Sequence, residues 1–147
     1  MRKGKKRAIT GFGIVLLVLL PFVFFFYRSF HTVVVQGVSM LPTFKTGQRL
    51  LVSDAYWLIG PIRHNDIVVV REKDDPNGYF IKRVYKDGGE EVDYANWPRG
   101  VSLKDKKFVV PQGSYYLLGD NRLQSEDSRY FGPIELSRII GKVVVRP

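Results

Sequence analysis

The sequence predicts a mostly β domain, built as a compact antiparallel sheet or barrel, that follows one N-terminal transmembrane helix. Three observations predict it: an uncharged stretch near the N-terminus, a later series of short runs rich in β-branched and aromatic residues, and turn-forming residues between those runs. Such runs, separated by Gly, Pro, Asn and Asp, are typical of antiparallel strands. The 147 residues are enough for one domain with its own core and an appendage.

The uncharged stretch is AITGFGIVLLVLLPFVFFFY, residues 8–27. About 20 residues of helix, at ~1.5 Å each, cross the ~30 Å hydrocarbon core of a bilayer. A cleaved leader has a shorter apolar region that ends in small residues, whereas this one runs into FFFYRSF. We therefore expect a membrane anchor over residues 8–28.

Basic residues before this stretch predict its orientation. Residues 1–7 contain no acid and five basic side chains, namely Arg2, Lys3, Lys5, Lys6 and Arg7. Because positively charged flanks stay in the cytoplasm, we predict a cytoplasmic tail over 1–7 and an extracytoplasmic domain over 29–147.

Short apolar runs define the predicted strands. They are TVVVQ, RLLVS, DIVVVRE, YFIKRVY, KFVV, SYYLLG and GKVVVRP. Their close spacing favours a folded sheet over a βαβ arrangement. The segment PIELSRII, residues 133–140, is predicted as a short helix with Pro133 in its first turn. The apolar segment YWLIGPI, residues 56–62, either packs on the core or touches the bilayer surface through its aromatic end.

Composition excludes several classes of function. The chain has no cysteine, which excludes thiol catalysis, disulfides and cysteine-ligated zinc. The net charge of +9 is concentrated in the tail, so we expect no nucleic-acid partner. No HExxH and no glycine-rich phosphate loop occurs, and we expect no metal and no cofactor. Neither His31 nor His64 adjoins another catalytic motif, so a nucleophilic serine here needs a different base.

Lys82, in GYFIKRV, is the candidate for that base. Strand alternation places it on the face of Phe80 and Val84, with Tyr79 and Ile81 on the opposite face. A lysine buried among apolar residues has a lowered pKa and acts as a base when neutral. The alternative is a lysine whose stem covers apolar surface while its amine reaches water, and strand alternation alone leaves both open.

Three segments together resemble a known family. GVSMLPT, YFIKRV and GDNRLQSEDSRYFG are similar to the conserved boxes of type I signal peptidases, which are membrane-bound Ser/Lys endopeptidases that remove signal peptides from exported proteins. The order, the spacing and the preceding anchor all match, and the resemblance covers most of residues 8–145. It implies a signal-peptidase-like folded sheet that lies outside the cytoplasm and is anchored to the plasma membrane of a bacterium, with preprotein signal peptides and the lipid bilayer as partners. The oligomeric state stays open.

The resemblance also implies roles for individual residues. Ser39 corresponds to the nucleophile, Lys82 to its general base in an acyl-enzyme mechanism, and Ser125 to the serine that orients the lysine. Asp127 and Arg129 resemble a structural acid–base pair that Arg83 is a candidate to join. The remaining correspondences are Gly119, Asp120 and Asn121 for the turn beside the lysine, Met40 and Pro42 for the turn that exposes the nucleophile, and Gly37 for the position where some members place a second oxyanion donor.

Substrate recognition is implied in the same way. The family takes an extended peptide as an added strand beside the segments before the serine and before the lysine, here VVVQG and YFI. Apolar clefts near the predicted substrate-binding residues, which are Val35, Met40, Phe44 and Ile81, admit only small side chains and select Ala-x-Ala ends.

Three alternatives remain at the level of sequence. A non-catalytic relative that assembles or presents surface proteins lacks the serine or the lysine, and both are present here. A self-cleaving Ser/Lys regulator needs a DNA-binding domain where this chain has an apolar stretch. An organellar processing peptidase uses the same chemistry, and the basic N-terminus does not distinguish it from a bacterial enzyme.

Overall fold

A long N-terminal helix precedes the folded domain. The computed structural model describes residues 2–102 and 107–145, with side chains from residue 11 to residue 144. Helix α1 spans Arg2–Ser29, and its part from Gly11 to Ser29 is long and apolar enough, by length and composition, to cross a membrane. The side chains of the basic tail, residues 1–7, and the last two residues of the predicted final strand, 146–147, lie outside this description. The predicted end of the cytoplasmic tail at residue 7 and the predicted end of the membrane anchor at residue 28 stay predictions.

The domain is built on one antiparallel sheet of seven strands in the order β1-β2-β9-β3-β4-β7-β8, next to a small sheet of β5 and β6. The strands are β1 Phe30–Val34, β2 Arg49–Ser53, β3 Ile67–Arg71, β4 Tyr79–Lys86, β5 Glu91–Val92, β6 Phe108–Val109, β7 Ser114–Leu118, β8 Ile134–Glu135 and β9 Ile139–Val145. Each neighbouring pair is antiparallel. The predicted fold class is confirmed, and the sheet curls into an open half-barrel.

Both faces of the sheet are covered, as the alternation of β3 and β4 requires. Ile67 and Val69 of β3 join Ile81 of β4 in one apolar cluster. Val68 and Val84 belong to a second cluster on the other face, which Phe80 borders. The predicted alternation of β4 is therefore confirmed, and it points Lys82 to the same face as Phe80.

The helix predicted over 133–140 is wrong. Residues Ile134–Glu135 form β8, Leu136–Arg138 form one 3-10 turn, and Ile139 begins β9. The β-branched pair at 139 and 140 continues into GKVVV, and pairing with β2 and β3 on both sides of β9 outweighs the local helical signal. The other short helices are α2, Tyr56–Ile59, and α3, Ser128–Phe131.

The apolar segment at 56–62 lies partly in the core and partly at the surface, and its contact with a bilayer stays a prediction. Ile62 is buried and Tyr56 packs against the second core cluster. Trp57 and Leu58 are exposed and lie beside the end of α1, where the rings of Trp57 and Phe25 are 5.6 Å apart. The segment thus fastens the domain to α1 and presents apolar side chains at the level where α1 ends.

Candidate active site

Ser39 lies in a tight turn between β1 and β2. Gly37 has a φ of +76°, a conformation that side-chain-bearing residues rarely adopt, so glycine is suited to redirect the chain here. The Gly37 carbonyl accepts a hydrogen bond from Thr46 Oγ1 at 2.7 Å. The Asn121 backbone N–H donates to the Ser39 carbonyl at 2.9 Å, and its side chain donates to the Val38 carbonyl at 3.2 Å. These contacts hold the turn in place and leave Ser39 partly exposed.

Lys82 reaches Ser39 from the middle of β4. Its Nζ is 2.8 Å from Ser39 Oγ, although 43 positions separate the two residues in the chain. The lysine is only 4% exposed, and its amine lies 5.7 Å from the centroid of the Phe80 ring. Of the two alternatives left open by strand alternation, the structure therefore supports a buried lysine and not one whose amine reaches water.

Burial lowers the pKa of the Lys82 amine, because the charged form loses its hydration. The carboxylates of Asp127 and Glu126 act in the opposite direction, and the loss of hydration outweighs them. A larger fraction of Lys82 is consequently neutral near pH 7 than in a free lysine. A neutral amine at hydrogen-bonding distance can take the proton of a serine hydroxyl.

Gly119 joins the two sides of the site at the end of β7. A Cβ at this position would lie 2.8 Å from the Ser39 carbonyl oxygen and would overlap the Ser125 hydroxyl. No side chain fits here, so glycine permits the strand end, the nucleophile turn and Ser125 to come together. The predicted turn formed by residues 119–121 thus lies beside the nucleophile turn.

Asp127 and Arg129 form the ion pair that the resemblance implies. Asp127 is fully buried, and its two carboxylate oxygens accept from Arg129 Nε at 2.8 Å and Nη2 at 2.9 Å. The same carboxylate accepts the Gly119 N–H at 3.0 Å and the Arg129 N–H at 3.2 Å, which caps α3. Burial by itself raises the pKa of Asp127, but these hydrogen bonds lower it overall. The Asp127–Arg129 ion pair therefore fixes the end of β7 at Gly119.

Arg83 does not join that pair, which corrects the expectation for it. It pairs with Asp120 through Nε at 2.7 Å and Nη2 at 2.6 Å. Thr43 Oγ1 donates to the same carboxylate at 2.5 Å. Because strand alternation turns Arg83 away from the face of Lys82, it meets the residue next to Gly119 and not Asp127. This second ion pair ties β4 to the turn that follows Ser39.

Ser125 is buried against Gly119, but it forms no hydrogen bond to Lys82. Its hydroxyl has no hydrogen-bond partner of normal geometry among residues 2–102 and 107–145, although its proximity contributes to the lowered pKa of Asp127. An unpartnered buried hydroxyl is costly and uncommon in folded proteins. The role of Ser125 in orienting the lysine stays a prediction.

The dyad opens into a cleft of about 540 Å³. Ser39 and Lys82 line it together with Phe80 and Phe131, whose rings are 5.5 Å apart. Its rim carries charges of both signs, from Glu72, Lys73, Asp74, Glu126 and Arg138. The cleft thus has an aromatic wall beside the amine and charged groups along its lining.

The predicted substrate-binding residues meet in one place. Val35, Met40, Phe44 and Ile81 belong to a single apolar cluster and are almost completely buried. None of the four lines the cleft that holds Ser39 and Lys82, so their role in substrate binding stays a prediction.

Several residues near the dyad carried no sequence signal of their own. Thr43, Glu126 and Phe131 lie inside the recognised motifs, but the resemblance implies no role for them, and only the fold shows that they lie near the site. Strand alternation predicts the face of β4 on which Tyr79 lies, but it does not predict the contact of the Tyr79 hydroxyl with β1. The two histidines do not line the cleft: His31 lies in β1, and His64 Nδ1 is 2.7 Å from the Tyr85 carbonyl.

This arrangement is suited to acyl transfer. A partly exposed serine hydroxyl contacts a buried amine of lowered pKa, and two ion pairs hold the surrounding turns. Groups of His, Asp and Glu that could hold a metal ion do not occur within the described ranges 2–102 and 107–145.

Comparisons with known proteins identify relatives of this chain. The family model for signal peptidase, peptidase S26, matches residues 6–99 and 97–146. Signal peptidase I of Bacillus caldolyticus is 34% identical over 80% of this chain and 79% of its own length. The mitochondrial ATP-independent inner membrane protease subunit 1a of Arabidopsis thaliana is 36% identical over 76% of this chain and 67% of its own. A crystal structure of a signal peptidase I from Enterococcus faecalis aligns with a TM-score of 0.46 at 26% identity, covering 58% of this chain and 99% of that one.

The family match extends over nearly the whole described chain and includes all three motifs on which the resemblance was based. The chain therefore belongs to the signal peptidase family, peptidase S26, and is a serine peptidase.

Proposed function

We propose that this chain is a membrane-anchored endopeptidase that cleaves signal peptides from exported preproteins with Ser39 as nucleophile and Lys82 as general base. Cleavage of signal peptides is the activity that relatives in the family carry. The single observation that supports the finer mechanism is the 2.8 Å contact between Lys82 Nζ and Ser39 Oγ, made by a lysine that is 4% exposed.

The reaction proceeds in two halves. Neutral Lys82 takes the Ser39 proton as Oγ attacks the carbonyl carbon of the scissile peptide bond. The ammonium then gives that proton to the leaving nitrogen, so the C–N bond breaks, the mature chain leaves as an amine and an acyl-enzyme remains. Lys82, neutral again, takes a proton from a water molecule as the water oxygen attacks the ester carbon of the acyl-enzyme. Its ammonium finally returns the proton to Ser39 Oγ, and the signal peptide leaves as a carboxylic acid.

The negatively charged oxygen of the tetrahedral intermediate requires preorganised hydrogen-bond donors. Each such donor raises the rate by a factor of about 10²–10³. The backbone N–H of Ser39 is one donor in this proposal. Gly37 offers no side chain, but a Cβ added there would meet nothing within 4 Å. That open space leaves room for a water molecule as a second donor.

Selection of small residues before the cut is part of the same proposal. A peptide that adds as a strand presents alternate side chains to the surface beneath it. In this proposal the buried cluster of Val35, Met40, Phe44 and Ile81 lies behind that surface and leaves space only for small side chains at the first and third positions before the cut. Larger side chains clash, which explains a preference for Ala-x-Ala ends.

The anchor keeps the enzyme where its substrates are. Ser39 lies eleven positions after Arg28, a reach of at most ~40 Å in extended chain, and Trp57 and Leu58 are exposed beside the end of α1. We propose the bacterial plasma membrane, with a single pass and a cytoplasmic N-terminus. The Arabidopsis relative uses a mitochondrial membrane, so an organellar origin is the second candidate.

The test is cleavage of a preprotein with an Ala-x-Ala site by the full chain in detergent. We expect Ser39→Ala and Lys82→Ala each to lower the rate by about 10⁴-fold or more. The matched controls are Ser137→Ala, at an exposed serine outside the cleft, and Lys86→Ala, on the same strand as Lys82. Both controls are expected to cleave normally, and appreciable turnover by either dyad variant would refute the proposal.

A further inference from the structure

The outer side of β1 is available for pairing with another strand. β1 lies at the edge of the seven-stranded sheet and pairs with β2 on its other side. The N–H and C=O groups of successive residues in an antiparallel strand point alternately toward the partner and away from it. The Val35 N–H donates to Gln48 and the Val35 carbonyl accepts from Gly47, both on the β2 side. Both main-chain groups of Val34 therefore face the free side.

The Tyr79 hydroxyl occupies this free side. It accepts the Val34 N–H at 3.1 Å and donates to the Val34 carbonyl at 2.9 Å. A phenol both donates and accepts, so one hydroxyl satisfies both groups of Val34 as one residue of a neighbouring strand would. The Tyr79 ring packs against the core cluster that contains Val35 and Ile81, which holds the hydroxyl in position.

The position of this contact matters because of the two segments that it joins. Val34 precedes Ser39 by five positions, and Tyr79 precedes Lys82 by three. These are the segments between which a substrate strand lies under the proposed function. A peptide that pairs with β1 at Val34 needs the two main-chain groups that the Tyr79 hydroxyl already holds. Val34 is 37% exposed, so a peptide can reach this edge from solvent.

We propose that Tyr79 is a latch on the substrate-binding edge that lowers the affinity for peptide. Its hydroxyl closes β1 at Val34 in the free enzyme, and the main chain of the substrate displaces it. A tethered hydroxyl competes more effectively than water does, because its effective concentration at the edge is high. Tyr79 thus lowers the affinity of the enzyme for the substrate residues that precede the cut. The identity of the displacing peptide rests on the proposed function.

Tyr79→Phe tests the latch, because it removes the hydroxyl and keeps the ring that packs on the core. The experiment uses the full chain in detergent with Ser39→Ala, and it measures binding of a fluorescent peptide with an Ala-x-Ala end by anisotropy. We expect Tyr79→Phe to lower Kd about fivefold, the net effect of losing the competing hydrogen bonds. With Ser39 intact, KM for the same peptide should fall similarly while kcat is unchanged. Tyr94→Phe, at an exposed tyrosine outside the cleft, is the control.

Each outcome decides the matter. An unchanged or raised Kd on adding Tyr79→Phe overturns the latch. A failure of the Ser39→Ala protein to bind the peptide, both with and without Tyr79→Phe, also overturns it. A fivefold gain in binding without hydrolysis by the Ser39 enzyme leaves the latch standing and refutes the Ser/Lys mechanism instead. Tryptophan fluorescence of each variant confirms that the domain is folded.

Discussion

Asp127→Ala offers the sharpest test of how the site is held together. The carboxylate is fully buried and accepts four hydrogen bonds, one from the Gly119 N–H and three from Arg129. Removing it leaves the Gly119 N–H without an acceptor in the interior. It also leaves the Arg129 guanidinium without its counter-ion, although that group keeps its hydrogen bond to the Arg122 carbonyl at 2.8 Å.

The magnitude follows from these contacts. A buried N–H without a partner costs ~1–3 kcal/mol. Breaking a fully buried ion pair costs ~3–5 kcal/mol, but the Arg129 side chain is 20% exposed, so water relieves part of that cost. We therefore expect Asp127→Ala to lower the free energy of unfolding by about 3–4 kcal/mol. Asp127→Asn keeps one acceptor and should cost about half as much.

Urea unfolding of the detergent-solubilised chain measures this loss. Trp57 and Trp97, the chain's two tryptophans, both lie in the domain and report its unfolding. With a slope of ~1–3 kcal/mol per molar urea, the midpoint for Asp127→Ala should fall by about 1–4 M. Asp54→Ala, at an exposed aspartate, serves as control and should change the free energy of unfolding by less than ~0.5 kcal/mol. A comparably small effect of Asp127→Ala would refute this account of the pair.

Three further results are expected. Ser125→Ala should slow turnover far more than it lowers the urea midpoint, and unaltered kinetics would remove Ser125 from the site. Gly119→Ala should abolish cleavage and destabilise the domain, since its Cβ would overlap the Ser125 hydroxyl and crowd the Ser39 carbonyl; a stable, active variant would contradict the close approach. The lowered pKa values of Asp127 and Asp120 stabilise the fold above the ordinary carboxyl pKa of ~3.9. This contribution is lost as pH falls through their lowered values, so replacing both with asparagine should flatten the acid limb of a stability–pH curve.

Much of the fold could be predicted because local patterns agreed with the tertiary structure. RLLVS became β2 residue for residue, and GYFIKRV became the core of β4 with the expected alternation. The error over 133–140 arose where a locally helical pattern was overruled by pairing on both sides of β9. Strands of two residues, such as β5 and β8, are too short to show a period.

The site was predictable only to the extent that its motifs are specific. The motifs named Ser39, Lys82, Asp127 and Arg129, but no local rule brings residue 39 to residue 82. That contact depends on the order of strands across the curled sheet. The partner of Arg83 was predicted wrongly for the same reason, because it depends on which turn lies beneath the opposite face of β4. The hydrogen bonds of Tyr79 to β1 join positions 45 residues apart and left no trace in the sequence.

The ionisation of Lys82 is the most direct test of the central claim that a buried, neutral amine serves Ser39. It can be followed in the active full-length protein by NMR of lysine labelled with ¹³C at Cε, with the Lys82 signal assigned by its loss in Lys82→Ala. We predict that this amine titrates below the free value of ~10.4 and that kcat/KM, with chemistry rate-limiting, rises with pH through the same ionisation. A Lys82 signal that titrates at or above the free value, or a rate that does not follow it, would contradict the account.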